Sequence, residues 1–215
     1  VIEGLDGSGK GTQAALLVKN LEARGLAVRK VSFPDYASDS SALVKMYLSG
    51  QFGSDPSDVN AYAASTFYAV DRFASFKRDW GTFYGEGGIV VADRYTTSNA
   101  VHQTTKEPPE KRQAFLHWLY DFEYDRLGLP RPDLVIYLDV PTDFTEKLLR
   151  SREAATHTQA DIHEQDVAYL ENCLRIGRLA AAHYGWTIVP FMKDGAERAL
   201  EEKHEEIFSI IRSAL

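Results

Sequence analysis

The chain has 215 residues, 44% hydrophobic and 26% charged, with 24 Lys and Arg against 31 Asp and Glu for a formal net charge of −7. Such a length and balance suit one α/β domain over residues 1–215 with its own core and exclude wholesale disorder, while the acidic surplus disfavours a broad nucleic-acid or anionic-membrane surface. No run approaches the ~18 apolar residues that span a bilayer, no signal-peptide pattern opens the chain, and a single Cys173 with no Asn-x-Ser/Thr sequon fits a reducing cytoplasm.

From Val1 to Gln13 a short apolar segment runs through a glycine-rich loop into a helical pattern of Ala14, Ala15, Leu16, Leu17, Val18 and Leu21. Because the sequence opens on Val1 rather than Met, the start of this first strand is expected upstream. Strand, glycine loop and helix in that order make a phosphate-binding P-loop credible. Glycines let backbone N–H groups converge on phosphate oxygens, the helix offers its positive end, and Lys10 adds a mobile cation for the β- and γ-phosphates of a nucleoside triphosphate. The candidate cradle is Gly4, Asp6, Gly7, Ser8, Gly9, Lys10, Gly11 and Thr12. Gly4, Gly9 and Lys10 satisfy Gly-x-x-x-x-Gly-Lys-[Ser/Thr], but Gly11 stands where the magnesium-binding hydroxyl is expected, with Thr12 one place later.

Gly25 stops the first helix, and Ala27 to Phe33 reads as a second strand ending at Pro34. Ser41 to Leu48 is a short helix. Asp58 is the expected N-cap of a long helix from Val59 towards Phe76 or Trp80, with Tyr62, Ala63, Phe67, Val70, Phe73 and Ala74 at helical spacing. Gly87-Gly88 breaks it, and Ile89 to Ala92 is a buried strand ending at Asp93-Arg94-Tyr95. Helices follow from about Thr97 to Thr105 and Glu110 to Arg126. Leu134 to Leu138 is another buried strand, closed by Asp139. Thr142 to Arg152 reads as a helix, 153–161 as a polar loop, and about Ile162 to Tyr184 as a helix. Trp186 to Pro190 is the last strand, and Leu200, Ile207, Phe208 and Ile211 mark a closing helix. Five strands alternating with helices imply a parallel sheet covered on both faces, with ligands at the carboxyl ends of its strands.

Tyr68 and Arg72 share a helix face, and a ring beside a guanidinium suits a nucleobase, since stacking is worth about 1–3 kcal/mol. On the helix alone, a core Tyr68 with Arg72 paired to a surface acid remains open. Arg94, after a buried strand, needs an anion and grips phosphate through paired hydrogen bonds. Asp93 sits where a carboxylate holds magnesium directly or through water. A structural Asp93–Arg94 pair is the alternative.

Gly4 to Lys10, Tyr68-x-x-x-Arg72, Asp93-Arg94-Tyr95-x-x-Ser98-Asn99 and Pro132 to Val140 occur in the order and spacing of thymidylate kinases, and the chain resembles that family over nearly its whole length. The resemblance implies a P-loop nucleoside monophosphate kinase fold with a short lid at about 150–164, ATP and dTMP as substrates, Mg²⁺ as cofactor and a homodimer. It implies that Asp6 contacts the acceptor sugar and positions its phosphate, Tyr68 stacks on the base, Arg72 and Asn99 read it, and Arg94 grips the acceptor phosphate. Phe33, Ser98, Gln103 and Glu164 are further candidate acceptor contacts, and His102 stands where a bulky aromatic crowds the sugar's 2′ position. Arg150 and Arg152 would face the donor's base or phosphates. Gly11, Ser32 before Phe33-Pro34, and Ile162 in the lid depart from the family's usual residues. Fewer positive charges then surround the transferred phosphoryl, so Lys10, Arg94 and Arg152 carry more. The implied reaction is ATP + dTMP giving ADP + dTDP. The alternatives are another monophosphate kinase, taking AMP, UMP/CMP or dUMP, and a P-loop module that binds nucleotide without turnover.

Overall fold

The computed structural model describes residues 1–145, 163 and 166–215. Five short strands, β1 (Ile2–Gly4), β2 (Val28–Ser32), β3 (Ile89–Asp93), β4 (Ile136–Asp139) and β5 (Thr187–Pro190), pair in parallel in the order β2-β3-β1-β4-β5. Ile2 in the central strand stands opposite Asp93 on one side and Ile136 on the other. The sheet is covered twice, which is why its strands read as continuous apolar runs. Side chains of a strand alternate between faces, so Ile136 and Leu138 join Leu17, Leu21 and Ile207 on one side. That side is covered by α1 (Lys10–Glu22) and by the C-terminal helix Leu200–Ala214. Val135 and Tyr137 instead join Val101, Phe115, Leu119, Cys173 and Trp186 on the other.

Between strands the chain forms α2 (Ala42–Leu48), α3 (Ala61–Ser75), α4 (Gly81–Gly85), α5 (Thr96–His102), α6 (Arg112–Tyr120) and α7 (Val167–Tyr184). The long helix expected from Asp58 begins later. Asn60 is its cap, accepting a hydrogen bond from the Ala63 N–H, while Asp58 closes a 3₁₀ turn through a capping box with Asp55. The helix also does not run straight to Trp80: a π-helical turn over Phe76–Trp80 separates α3 from α4. A second π turn, Asp121–Arg126, follows α6. Asp166 caps α7 by accepting from the Tyr169 N–H. The expected helix start at Ile162 and the end of the helix expected over Thr142 to Arg152 lie outside the described residues. A two-stranded hairpin, β6 (Met192–Lys193) and β7 (Ala196–Glu197), was not anticipated. Its corner, Asp194-Gly195, has φ of 52° and 80°, the left-handed pair that a two-residue turn requires. No helix among the described residues is long and apolar enough to cross a membrane.

Helix α7 meets the sheet at Gly177. A Cβ there would lie 2.2 Å from the Tyr137 hydroxyl oxygen, and Tyr137 is fully buried. Helix propensity favours Ala over Gly by about 1 kcal/mol, but overpacking a filled core costs about 1–3 kcal/mol. Gly177→Ala is therefore expected to lower Tm in a thermal unfolding measurement; an unchanged or raised Tm would mean that the Tyr137 ring yields freely.

Candidate active site

The loop after β1 is shaped by its glycines. At Gly4, φ is 150°, and a Cβ would meet the Ser8 Oγ at 2.8 Å and the Leu138 carbonyl oxygen at 2.9 Å. Gly9 takes φ 85° as the N-cap of α1, offers no capping side chain, and no acidic residue follows in the first turn. Among the described residues no side chain caps the first N–H groups of α1, which stand at the positive end of the helix, where an anionic ligand is favoured. Lys10 folds back to donate to the Leu5 carbonyl at 2.6 Å. Burial, and then the nearby Arg94, lower its pKa to about 8.

Arg94 follows β3 with φ 67°, an unfavourable conformation for a side-chain-bearing residue and one that recurs at functional sites. This backbone twist aims the guanidinium towards the P-loop. One terminal nitrogen, Nη2, donates to Asp6 Oδ1; the other, Nη1, donates to Ser98 Oγ at 3.1 Å and lies 3.4 Å from His102 Nε2. Burial opposes the charge on Asp6, yet Arg94 and then Lys10 hold its carboxyl far below the usual range. The pair expected as an alternative, Asp93 with Arg94, is not the one formed. Asp93 instead turns towards α1, its Oδ2 only 3.1 Å from where a Cβ on Gly11 would stand. Among the described residues its carboxylate takes no hydrogen bond. Thr12 is exposed on the first turn of α1.

One cavity beside the P-loop is lined by Asp6, Phe33, Tyr68, Arg72, Arg94, Ser98, Asn99, His102 and Gln103, together with His163. Phe33 is buried at the end of β2, its ring 6.0 Å from Tyr95. Tyr68 is half-buried on α3. His102 packs face to face with His163 at 5.8 Å, and burial, then Arg94, drives its pKa well below the ordinary value, so the ring is neutral. Gln103 is almost fully buried, and its Oε1 has no partner among the described residues. A buried orphan acceptor lining a cavity is a group awaiting a ligand or water. Arg150, Arg152 and Glu164 lie outside the described residues. A larger apolar cavity of about 310 Å³ opens at the amino ends of the strands, among Ile2, Leu17, Val91 and Leu134. It is at the wrong edge of the sheet for the P-loop chemistry.

Two carboxylates organise this site that residue patterns did not single out. Glu3, fully buried in β1, accepts from the Gly4 N–H, Thr97 Oγ1 and Ser98 Oγ, and lies 3.6 Å from Arg94. A charged residue inside the apolar opening Val1-Ile2-Glu3-Gly4 was the available signal, since such a charge must meet donors. Glu123 holds Arg72 through two hydrogen bonds of 2.7 and 2.6 Å. Arg72 is therefore neither free nor paired to a surface acid: its partner is wholly buried.

The thymidylate kinase family model matches residues 2–207. The chain is 31% identical over 193 residues to the thymidylate kinase of Mycobacterium tuberculosis, covering 87% of this chain and 89% of that protein. It is 30% identical over 216 residues to a probable thymidylate kinase of Pyrococcus horikoshii, covering 100% and 96% respectively. A probable thymidylate kinase of Pyrobaculum aerophilum matches at 26% over 211 residues. With a glycine cradle and an arginine-bearing cavity side by side on one sheet edge, and with a family match over nearly its full length, the chain belongs to the thymidylate kinase family.

Proposed function

We propose that the chain transfers the γ-phosphoryl group of ATP to dTMP, giving ADP and dTDP, within one kinase domain whose lid is the segment of about 150–164. The observation that carries this reading is Arg94, held between Asp6 of the P-loop and Ser98 of the neighbouring cavity. A guanidinium in that position touches both compartments. ATP phosphates sit on the N–H groups at the start of α1, with Lys10 swinging from Leu5 to the β- and γ-oxygens. The acceptor lies in the cavity, with its phosphate on Arg94, its sugar against Asp6 and His102, and its base between Tyr68, Arg72 and Asn99. Phe33, Ser98 and Gln103 complete the walls. Arg150 and Arg152 serve the donor, and Glu164 the acceptor sugar.

Phosphoryl transfer passes through a loose transition state whose charge sits on oxygens. Alignment and neutralisation are then most of the catalysis, and the acceptor phosphate, anionic at neutral pH, attacks without a general base. Asp93, free of hydrogen bonds from described residues and facing the first turn of α1, suits Mg²⁺ held directly or through water. Mg²⁺ held there would supply positive charge to offset that of the donor phosphates, with Gly11 contributing no hydroxyl and Thr12 the nearest one in sequence. We further propose a homodimer and a cytoplasmic location, on the strength of the family resemblance, the exposed Tyr62 and Val70 on α3, and the single buried Cys173.

A coupled ADP-release assay across dTMP, dUMP, AMP, CMP and GMP tests the acceptor; dTMP is expected to have the highest kcat/KM, and a preference for AMP would overturn the reading. Arg94→Ala is expected to lower kcat/KM for dTMP by about 2–5 kcal/mol of transition-state stabilisation, because a desolvated phosphate loses its partner. Near-normal turnover in that variant would remove Arg94 from the site. ATP affinity should fall about tenfold as pH rises from about 7 to 9, because a Lys10 ammonium titrating near 8 loses its charge over that interval. Titrating ATP across that pH range by calorimetry reads this directly, and Lys10→Met should flatten the dependence.

A further inference from the structure

Glu123 sits in the π turn after α6 with no exposed surface. A carboxylate so far from water is stable only when donors converge on it, and four do. Arg72 donates from Nε and Nη2, Thr96 from Oγ1 at 2.7 Å, and Asn99 from Nδ2 at 3.0 Å. The donors come from α3 and α5, the two helices that wall the acceptor cavity.

The consequence lies in what these bonds leave over. Asn99 Nδ2 also donates to the Ser65 carbonyl at 3.2 Å, so both of its amide hydrogens are taken up by acceptors. Rotating the amide by half a turn would press Oδ1 against the Glu123 carboxylate and the Ser65 carbonyl, two acceptors facing a third. The amide orientation is therefore fixed. Among the described residues, Oδ1 of Asn99 and Nη1 of Arg72 take no protein hydrogen bond, and both residues line the cavity. What these two residues leave for a ligand is a donor nitrogen on Arg72 beside an acceptor oxygen on Asn99.

We infer that Glu123, which does not line the cavity, sets the hydrogen-bond polarity of the base-reading edge and so selects a pyrimidine with a carbonyl at position 4 and an N–H at position 3. Thymine and uracil present O4 as acceptor and N3–H as donor, the complement of Arg72 Nη1 and Asn99 Oδ1. Cytosine presents an amino donor at position 4 and an acceptor at N3, which would place donor against donor and acceptor against acceptor. Arg72 is a donor in any orientation and opposes an amino group at position 4 by itself, but Asn99 alone would not read position 3, because an unanchored amide can turn over to suit either base. Glu123 is thus a positioning residue acting through the two that touch the base. The inference rests on dTMP occupying this cavity as proposed above.

The test compares kcat/KM for dTMP and for 5-methyl-dCMP, which differ only at the edge in question, in the unaltered enzyme, Glu123→Gln and Thr96→Val. The unaltered enzyme should prefer dTMP by at least about 10³-fold, the scale of rejection for a mismatched buried polar edge. Glu123→Gln should narrow that ratio at least tenfold while leaving KM for ATP unchanged. Thr96→Val removes one tether without unpairing a charge and should narrow the ratio by a smaller factor. It decides the matter alone if Glu123→Gln fails to fold. A ratio unchanged in the folded variants, whatever their Tm, means that Glu123 only fills the core and overturns the inference. An unaltered enzyme that accepts both nucleotides equally would instead overturn the placement of the base, a separate failure.

Discussion

Charges withdrawn from water have to find partners, and the site is built on that constraint. Arg94 lies between three carboxylates, Glu3, Asp6 and the neighbouring Asp93, and is ion-paired with the first two. Burial opposes its charge, but those acids raise its pKa further, so the guanidinium is charged under all conditions in which the protein is folded. Breaking such a cluster by removing one member leaves the others unpaired, which is worse than never having built it. The left-handed backbone at residue 94 persists because the surrounding network over-determines it. An arginine held this way is preorganised for the acceptor phosphate proposed to meet it.

Much of the architecture was legible along the chain because the sheet is buried on both faces. Ile89 to Ala92 and Leu134 to Leu138 are continuous apolar runs, and Asp93 and Asp139 mark where those strands reach the polar edge. The glycine loop was equally plain, since Gly4 and Gly9 occupy conformations or contacts that a side chain disfavours. Boundaries were less legible. Asp58 and Asn60 are both good capping residues two positions apart, and only the fold decides which begins the helix. The hairpin at 192–197 carried its own signal in Asp194-Gly195, a turn pair flanked by segments too short to read as strands.

The partners within the site were the least legible part. Arg72 and Glu123 are 51 positions apart, and Phe122-Glu123-Tyr124 reads as an ordinary helical stretch. Nothing local marks Glu123 as interior. Glu3 was within the motif that announced the loop, but its role emerges only when α5 brings Thr97 and Ser98 over β1. Sequence patterns single out groups that face a ligand; the residues that hold those groups still belong to long-range packing.

The P-loop is a continuation of β1 and Arg94 a continuation of β3, and these strands are immediate neighbours, joined by the hydrogen bond from the Arg94 N–H to the Ile2 carbonyl at 3.1 Å. Adjacent strands in any sheet stand about 4.8 Å apart, a spacing set by peptide geometry. The sheet therefore acts as a ruler with a fixed graduation. It sets the backbone spacing between the P-loop and Arg94, the two grips proposed for donor and acceptor, and leaves the proposed choice among acceptors to the elements mounted above it.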